Sequence, residues 1–302
     1  MAQGHSHNTA RTAADPLAGD LPSLSAMANL VRRHDPNRFQ TALFAKADIR
    51  EALFALYAFN VEMSRMGENL SEPLIGQMRL QWWVDLIEQM GAGTPPERGH
   101  PIGDRIGQVM GQGVIALLPL VEARQADLDE SPFPELAAME LYADQTAGAL
   151  AEQAALLLGA DPITDQTELT RIRALGTAWG LMGLLRSVPL MAGRGRSVLP
   201  LDLMLDAGFG TQDLVKPPKD PDKTERLIAL IAPVRERIDV LVAENAQKAF
   251  SGNILPSVLT TVLLRSYLED SKRSGADLTD PALVAAKRMP LRLAWAGWRK
   301  RV

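Results

Sequence analysis

The chain has 302 residues, of which 46% are hydrophobic, and its formal net charge is −4 at pH 7. This length and apolar content predict one large domain with a sizeable core, and the charge balance, with 5% aromatic residues, does not favour a nucleic-acid-binding protein. The complete lack of cysteine excludes disulfides, thiolate metal sites and cysteine nucleophiles.

The first 22 residues are small and polar, and they predict a disordered tail ahead of a single domain that spans residues 23–302. His5 and His7 lie in this tail, where two histidines without a fixed geometry do not predict a metal site. An uninterrupted apolar run of about 18 residues does not occur, so we expect a cytoplasmic protein without a membrane-spanning helix.

Apolar residues spaced three and four apart predict helices along the whole chain. The predicted helices span residues 49–70, 74–90, 109–126, 135–158, 168–188, 224–250, 256–271 and 281–301, after an earlier helical pattern that begins at Leu24. Ser71, Glu72 and Pro73 interrupt the pattern between the first two. Strand-like alternation is scarce, so the sequence predicts an all-α domain of about nine or ten helices.

Several short motifs, in this order and separation, resemble the squalene/phytoene synthase family, the head-to-head branch of the trans-prenyl diphosphate synthases. The motifs are REALFALYAF at residues 50–59, RLQWW at 79–83, Leu175-Gly176, Leu185-Arg186, Gly195-Arg196 and Leu199-Pro200. The resemblance implies an isoprenoid synthase fold whose helices surround a central apolar cavity. It also implies two acidic motifs on facing helices, which in active members hold Mg²⁺ against a substrate diphosphate.

This chain departs from both acidic motifs. The first motif places Ser64, Arg65 and Glu68 where three acids are expected, and the second places Ser187, Leu190 and Met191. Mg²⁺ requires hard oxygen ligands, so these positions predict that metal-assisted ionisation of a diphosphate is lost. We therefore expect a pseudoenzyme without catalytic residues, metal or cofactor.

An alternative metal site remains open, because Glu140, Asp144 and Glu152 occur at helical spacing in the middle of the chain. If these acids restored a site, the chain would be an active head-to-head prenyltransferase that binds Mg²⁺ and condenses farnesyl or geranylgeranyl diphosphate. The competing interpretation is a solvated stripe on one helix.

A third hypothesis is a protein that binds an isoprenoid or quinone-like lipid without a metal. Residues 170–201 contain five arginines and no acid, so an anionic head group could be attracted directly. The candidate head-group ligands are Arg65, Arg186, Arg194 and Arg196. The candidate contacts for an apolar tail are Phe59, Met63, Trp179 and Met182, although such residues at helical spacing are also typical of a core.

Within the family, the chain resembles a non-catalytic branch that assists the assembly of respiratory complex I, NADH:quinone oxidoreductase. The resemblance rests on residues 60–62, 71–73, 76, 78–79, 184–189 and 297–300. It implies an assembly factor or scaffold whose partners are complex I subunits or assembly intermediates. Asn60 and Glu62 are alternative candidates for a partner surface.

The C-terminal residues 283–302 contain six basic side chains and no acidic one, with Trp295 and Trp298 among them. Tryptophan and cations on one helix are typical of the surface of an anionic bilayer, so this segment predicts peripheral contact with the inner membrane. The competing interpretation is a helix that docks its tryptophans into the core.

Overall fold

The computed structural model describes residues 24–66, 73–94, 99–129 and 131–302. The predicted tail of residues 1–22, Glu68 and the Ser71-Glu72 part of the predicted break lie outside the described residues. The prediction of one domain over residues 23–302 stays a prediction.

The described residues form helices and no strand, which confirms the predicted all-α class. The helices are α1 Ala26–His34, α2 Pro36–Ala42, α3 Ala47–Ser64, α4 Pro73–Gly91, α5 Pro101–Met110, α6 Leu118–Ala123, α7 Leu136–Ala143, α8 Ala149–Leu157, α9 Gln166–Gly193, α10 Leu201–Ala207, α11 Pro221–Asn245, α12 Thr260–Ser274, α13 Pro281–Val284 and α14 Pro290–Arg299. These segments outnumber the predicted nine or ten, because short 3₁₀ or π-helical segments divide several of the predicted helices.

Prolines mark the starts of many helices. α2, α4, α5, α11, α13 and α14 each begin at a proline. Proline suits this position because its fixed φ matches the first turn and its missing amide proton would have no partner there. At α2 the carboxylate of Asp35 also accepts a hydrogen bond of 3.0 Å from the amide of Arg38, which caps the helix.

The long helix α9 lies at the centre of the packing. It contacts α7, α8, α11 and α12, while α3 contacts α1, α5 and α8. The buried apolar side chains of these helices form one continuous core cluster. Leu53, Leu56 and Phe59 of α3 are fully buried, as their spacing predicts. Residues 53–61 are buried without interruption, however, so α3 is enclosed on all sides and does not present a single buried face.

The predicted helix over residues 135–158 is a continuous helical stretch in which a π-turn, Asp144–Gly148, joins α7 to α8. At this turn the stretch crosses α9 at backbone distance. A Cβ atom on Gly176 would lie 2.7 Å from the carbonyl oxygen of Ala147 and 2.9 Å from the Cα of Gly148. Glycine is therefore required by the close approach, because the obstructing atoms belong to backbone and cannot rotate away.

Several predicted helix ends differ from the structure. α3 ends at Ser64 where the prediction continued to residue 70, and α11 ends at Asn245 where the prediction continued to residue 250. α9 continues through Pro189 to Gly193, one turn past the predicted end at Val188. The predicted helix over residues 281–301 is wrong, because an extended segment separates α13 from α14. Pro290 explains part of this break, since proline disfavours helical conformation at the residue before it, here Met289.

One helical stretch, Pro101–Asp127, could cross a membrane by length and composition alone. An 18-residue window of it has a mean hydropathy of 1.4, and 28% of that window is buried inside the fold. The stretch comprises α5, α6 and two 3₁₀ segments, Gly111–Leu117 and Arg124–Asp127, and its first part packs against α3 and α4. The expectation that no helix spans a membrane stays a prediction.

The close crossing of α9 gives a test of the fold. We expect Gly176→Ala to lower the free energy of unfolding by about 1–3 kcal/mol, because the new methyl group forces two backbones apart. Gly183→Ala is the matched control on the same helix, since a Cβ there would meet no atom within 4 Å. The control should gain up to about 1 kcal/mol from helix propensity. Urea denaturation followed by circular dichroism measures both, and equal stability of the two variants would contradict the crossing.

Candidate functional site

A cavity of about 650 Å³ lies between the C-terminal end of α3, the α7 and π-turn region, and one face of α9. Its described lining residues are Arg38, Asn60, Ser64, Arg124, Asp127, Tyr142, Ala143, Thr146, Ala147, Trp179, Gly180, Gly183, Leu184, Ser187, Leu190, Met191, Arg194, Arg196 and Val198. The extra turn of α9 beyond Val188 is what carries Leu190 and Met191 to the cavity.

Four described positions of the two expected acidic motifs line this same cavity. Ser64 at the end of α3 lines it together with Ser187, Leu190 and Met191 of α9. Both serine hydroxyls are used locally: that of Ser64 donates to the carbonyl of Val61 at 2.9 Å, and that of Ser187 donates to a carbonyl one turn earlier in α9 at 2.8 Å. Arg65 lies at the end of α3 with a guanidinium nitrogen 3.4 Å from a ring nitrogen of His34.

One carboxylate, that of Asp127, occurs among the described lining residues. It is already engaged, because the Tyr142 hydroxyl donates to it at 2.6 Å and Arg124 donates to it at 3.2 Å. In the described part of the chain, no group of three or more His, Cys, Asp or Glu side chains could hold a metal ion. This donor set does not fit Mg²⁺, which prefers several free carboxylate and water oxygens.

Arg124 joins three lining residues into a buried polar network. Beyond Asp127, it donates to the Tyr142 hydroxyl at 2.8 Å and to the amide oxygen of Asn60 at 3.3 Å. Burial alone would lower the pKa of Arg124, but the proximity of Tyr142 and Asp127 raises the pKa overall, so the guanidinium stays charged. Burial is also the main cause that raises the pKa of Tyr142, so its hydroxyl keeps the proton that it donates.

Three further arginines line the cavity. Arg38 forms an ion pair of 2.8 Å with Asp35. Arg196 donates to the main-chain oxygen of Asp127 at 2.7 Å and also to that of Asp129, so it holds the turn that carries Arg124. Arg194 is exposed, and among the described residues its guanidinium has no hydrogen-bond or ion-pair partner, although its main-chain amide donates to the carbonyl of Met191 at 3.0 Å. Four arginines against one aspartate give the lining a positive charge.

Arg186 lies outside the cavity lining and fastens the C-terminal segment to α9. Its guanidinium donates to the carbonyls of Leu283 and Val284, each at 2.7 Å, and lies 3.9 Å from the ring centroid of Tyr267. The Tyr267 hydroxyl in turn donates to the carbonyl of Ala285 at 2.9 Å. Burial lowers the pKa of Arg186. These contacts use the carbonyls that a continuous helix would need, which is the second cause of the break before α14.

The structure therefore brings together only some of the predicted ligand residues. Among the described residues, Arg194, Arg196 and Trp179 line the cavity, whereas Arg65, Arg186, Phe59, Met63 and Met182 do not. Phe59 and Met63 are fully buried in the core. The ligand roles of all eight residues stay predictions. Glu68 lies outside the described residues.

The alternative acids are neutralised by arginines on neighbouring helices. Arg173 donates to Asp144 at 2.7 Å and to Glu152 at 2.8 Å, and Arg237 donates to Glu140 at 2.6 Å. Because each carboxylate faces a guanidinium, the three do not share a space in which a metal could sit. They form a charged stripe that ties the π-turn region to α9 and α11.

The sequence interpretation missed Arg38, Arg124, Asp127 and Tyr142. One signal was available: Arg124 and Asp127 lie at i,i+3 spacing at the end of the apolar helical stretch Pro101–Asp127, and charges in such a place are usually paired. Asn60 was a candidate for a partner surface, but it is buried and lines the cavity.

The chain is similar to a known protein family and to several known proteins. The family model described as squalene/phytoene synthase matches residues 31–296. The mouse protein named NADH dehydrogenase (ubiquinone) complex I, assembly factor 6, is 26% identical over 276 residues, which cover 90% of this chain and 81% of the mouse protein. The presqualene diphosphate synthase of Sinorhizobium fredii is 27% identical over 168 residues, 54% of this chain and 58% of that protein.

The crystal structure of a dehydrosqualene synthase in complex with ligand superposes on this chain with a TM-score of 0.72 at 17% identity. The superposition covers 91% of this chain and 93% of the synthase. At this level of identity the likeness shows the fold, and it confirms the predicted isoprenoid synthase fold.

The buried network predicts the effect of removing one hydroxyl. Tyr142→Phe leaves Asp127 and Arg124 each short of a hydrogen bond, so we expect the free energy of unfolding to fall by about 1–3 kcal/mol. Tyr57→Phe is the control, since Tyr57 is 3% exposed against 8% for Tyr142, but the Tyr57 hydroxyl has no hydrogen-bond partner among the described residues. Thermal and urea unfolding measure both variants, and a Tyr142→Phe protein as stable as the control would refute the network.

Proposed function

Because the chain belongs to the squalene/phytoene synthase family, we propose that it is a pseudoenzyme of this family that assists the assembly of respiratory complex I, NADH:quinone oxidoreductase. One observation carries the proposal. The residues that face each other across the cavity, where acids are expected, are Ser64 on α3 and Ser187, Leu190 and Met191 on α9.

Ionisation of a prenyl diphosphate leaves negative charge on the departing diphosphate, and metal ions stabilise that charge in a transferase. A lining of hydroxyl, thioether and alkyl groups offers no equivalent ligand set. The remaining arginines can attract an anion but do not replace the coordination of a departing diphosphate. This reasoning supports loss of catalysis with retention of the fold.

Similarity to the mouse assembly factor over 90% of this chain supports the assembly role. The similarity to the presqualene diphosphate synthase is confined to 54% of the chain. The partners that we propose are subunits or assembly intermediates of complex I, which the protein would engage as a scaffold.

Deletion of the gene in its own organism tests the assembly role. We expect the strain to lose most of its assembled complex I on native gels, together with membrane NADH:quinone oxidoreductase activity. Expression of the wild-type chain should restore both, because the defect then depends on this protein alone. Normal complex I in the deletion strain would contradict the role.

Diphosphate release separates the proposal from the alternative of an active head-to-head prenyltransferase. Purified protein, farnesyl or geranylgeranyl diphosphate and Mg²⁺ should give no release above background under conditions in which an authentic presqualene diphosphate synthase turns over. Release that a chelator abolishes would show that a metal site exists and would overturn the pseudoenzyme proposal, whatever the deletion strain shows.

A second candidate function is binding of an isoprenoid or quinone-like lipid without a metal. The supporting observation is the cavity itself, whose volume of about 650 Å³ lies within the range typical of small-molecule sites. The Arg194 guanidinium is exposed at the cavity and has no partner in the described part of the chain. It could bind an anionic head group.

If the cavity binds lipid, a bulky side chain placed in it should prevent lipid from binding. Gly183→Leu places a side chain in the open space beside α9, so lipid retained from an extract should disappear from native mass spectra. Gly193→Leu is the matched control, because this glycine also has free space around it but lies outside the cavity lining. Arg194→Gln should weaken the binding of an anionic lipid about tenfold, because a charged hydrogen-bond donor is lost. A wild-type protein that retains no lipid would rule out this function.

A further inference from the structure

The C-terminal helix α14 presents two different faces. Leu293 and Ala296 are buried against the core and anchor the helix. Leu291, Trp295 and Trp298 lie on the opposite side and are 85%, 58% and 81% exposed. At 100° per residue these three side chains fall within about 60° of one another. We call them the tryptophan face.

A neighbouring loop lies against the side of α14 next to the tryptophan face. A Cβ atom on Gly297 would lie 3.7 Å from the ring of Phe44, so the loop after α2 adjoins α14. Phe44 and Leu43 are both exposed there. Exposed apolar side chains from two separate elements therefore lie on neighbouring parts of the surface, whereas single exposed apolar residues are common on any protein.

Cations flank this surface. On the helical projection Arg292 and Arg299 lie directly beside the tryptophan face, and the Arg299 guanidinium is 4.6 Å from the Trp295 ring centroid. Arg288, Lys300 and Arg301 extend the cationic margin and are exposed. Residues 283–302 carry no acid, although the whole chain has a net charge of −4. The positive charge of this segment is thus opposite in sign to the net charge of the chain, and it favours an anionic target.

The C-terminal segment is held in place before any target binds. Lys287 is paired with Asp270, the amide of Phe250 donates to the carbonyl of Lys300 at 3.0 Å, and Arg186 fixes the carbonyls of Leu283 and Val284. The exposed tryptophans are therefore presented by a fixed helix, and little ordering would be needed on contact.

From this arrangement we propose that α14 docks on an anionic lipid bilayer, with the tryptophan face in the headgroup and upper acyl region and the flanking arginines at the lipid phosphates. Tryptophan prefers this interfacial zone, and each cation near the surface adds electrostatic attraction. The chain is then a peripheral membrane protein through this helix. The proposal is independent of the assembly role.

Vesicle sedimentation with the full chain tests the proposal. We expect binding to phosphatidylcholine vesicles that contain phosphatidylglycerol, weaker binding to phosphatidylcholine alone, and a decrease with added salt because screening weakens the attraction. The combined substitutions Trp295→Ala and Trp298→Ala should weaken binding at least about tenfold. Arg292→Glu with Arg299→Glu should weaken it by a similar factor and remove the preference for anionic lipid.

The matched control is Leu141→Ala with Leu205→Ala, which removes two exposed apolar side chains, 56% and 68% exposed, from α7 and α10. This control should bind as the wild type does. Because the substituted tryptophans and arginines are exposed, circular dichroism should show folded protein for every variant.

Equal binding to both vesicle types, or unchanged binding by the tryptophan variant, would overturn the proposal. A tryptophan variant that alters the oligomeric state in light scattering but not vesicle binding would instead identify the face as an interface between copies of the chain.

Discussion

The contact between two helix backbones at Gly148 and Gly176 is the constraint on which the rest of this structure depends. It lets α9 lie directly against the π-turn, and α9 is the helix around which α7, α8, α11 and α12 pack. A side chain at the crossing would separate these layers. One face of α9 then forms a wall of the cavity, so the same contact that orders the core also sets the position of Ser187.

The acids near the centre of the fold are held by arginines. Asp144 and Glu152 share Arg173, Glu140 is bound by Arg237, and Asp127 is bound by Arg124. Partly buried carboxylates need such partners because burial disfavours an isolated charge. These acids are consequently directed at guanidinium groups, and the cavity lining carries an excess of positive charge. The family fold is thus combined with an electrostatic character unlike that expected of a metal-dependent synthase.

Much of the fold was predictable from local pattern. The spacing of Leu53, Leu56 and Phe59 indicates that α3 is a helix packed in the core, and the order of short motifs indicates the isoprenoid synthase fold. The resemblance also identified Ser64 and Ser187, which the structure places on the same cavity. These successes depend on periodicity or on motif register, both of which can be seen in a linear sequence.

Other features depend on contacts between distant residues. Asn60 and Arg124 are 64 positions apart, and Arg186 reaches carbonyls 97 and 98 positions further along the chain. No local pattern shows that a guanidinium will bind main-chain oxygens and divide a helix there. The continuation of α9 through Pro189 was missed for a different reason, since proline usually ends a helix and only the surrounding packing decides the exception.

Arg186 and Ser187 are consecutive residues of α9, yet they serve different parts of the molecule. The serine lines the cavity, and the arginine donates hydrogen bonds to main-chain carbonyls of the segment that leads to α14. This single turn of α9 therefore contacts both the cavity and the C-terminal segment. Loss of this turn of α9 would therefore remove part of the cavity wall and, at the same time, release the carbonyls of Leu283 and Val284.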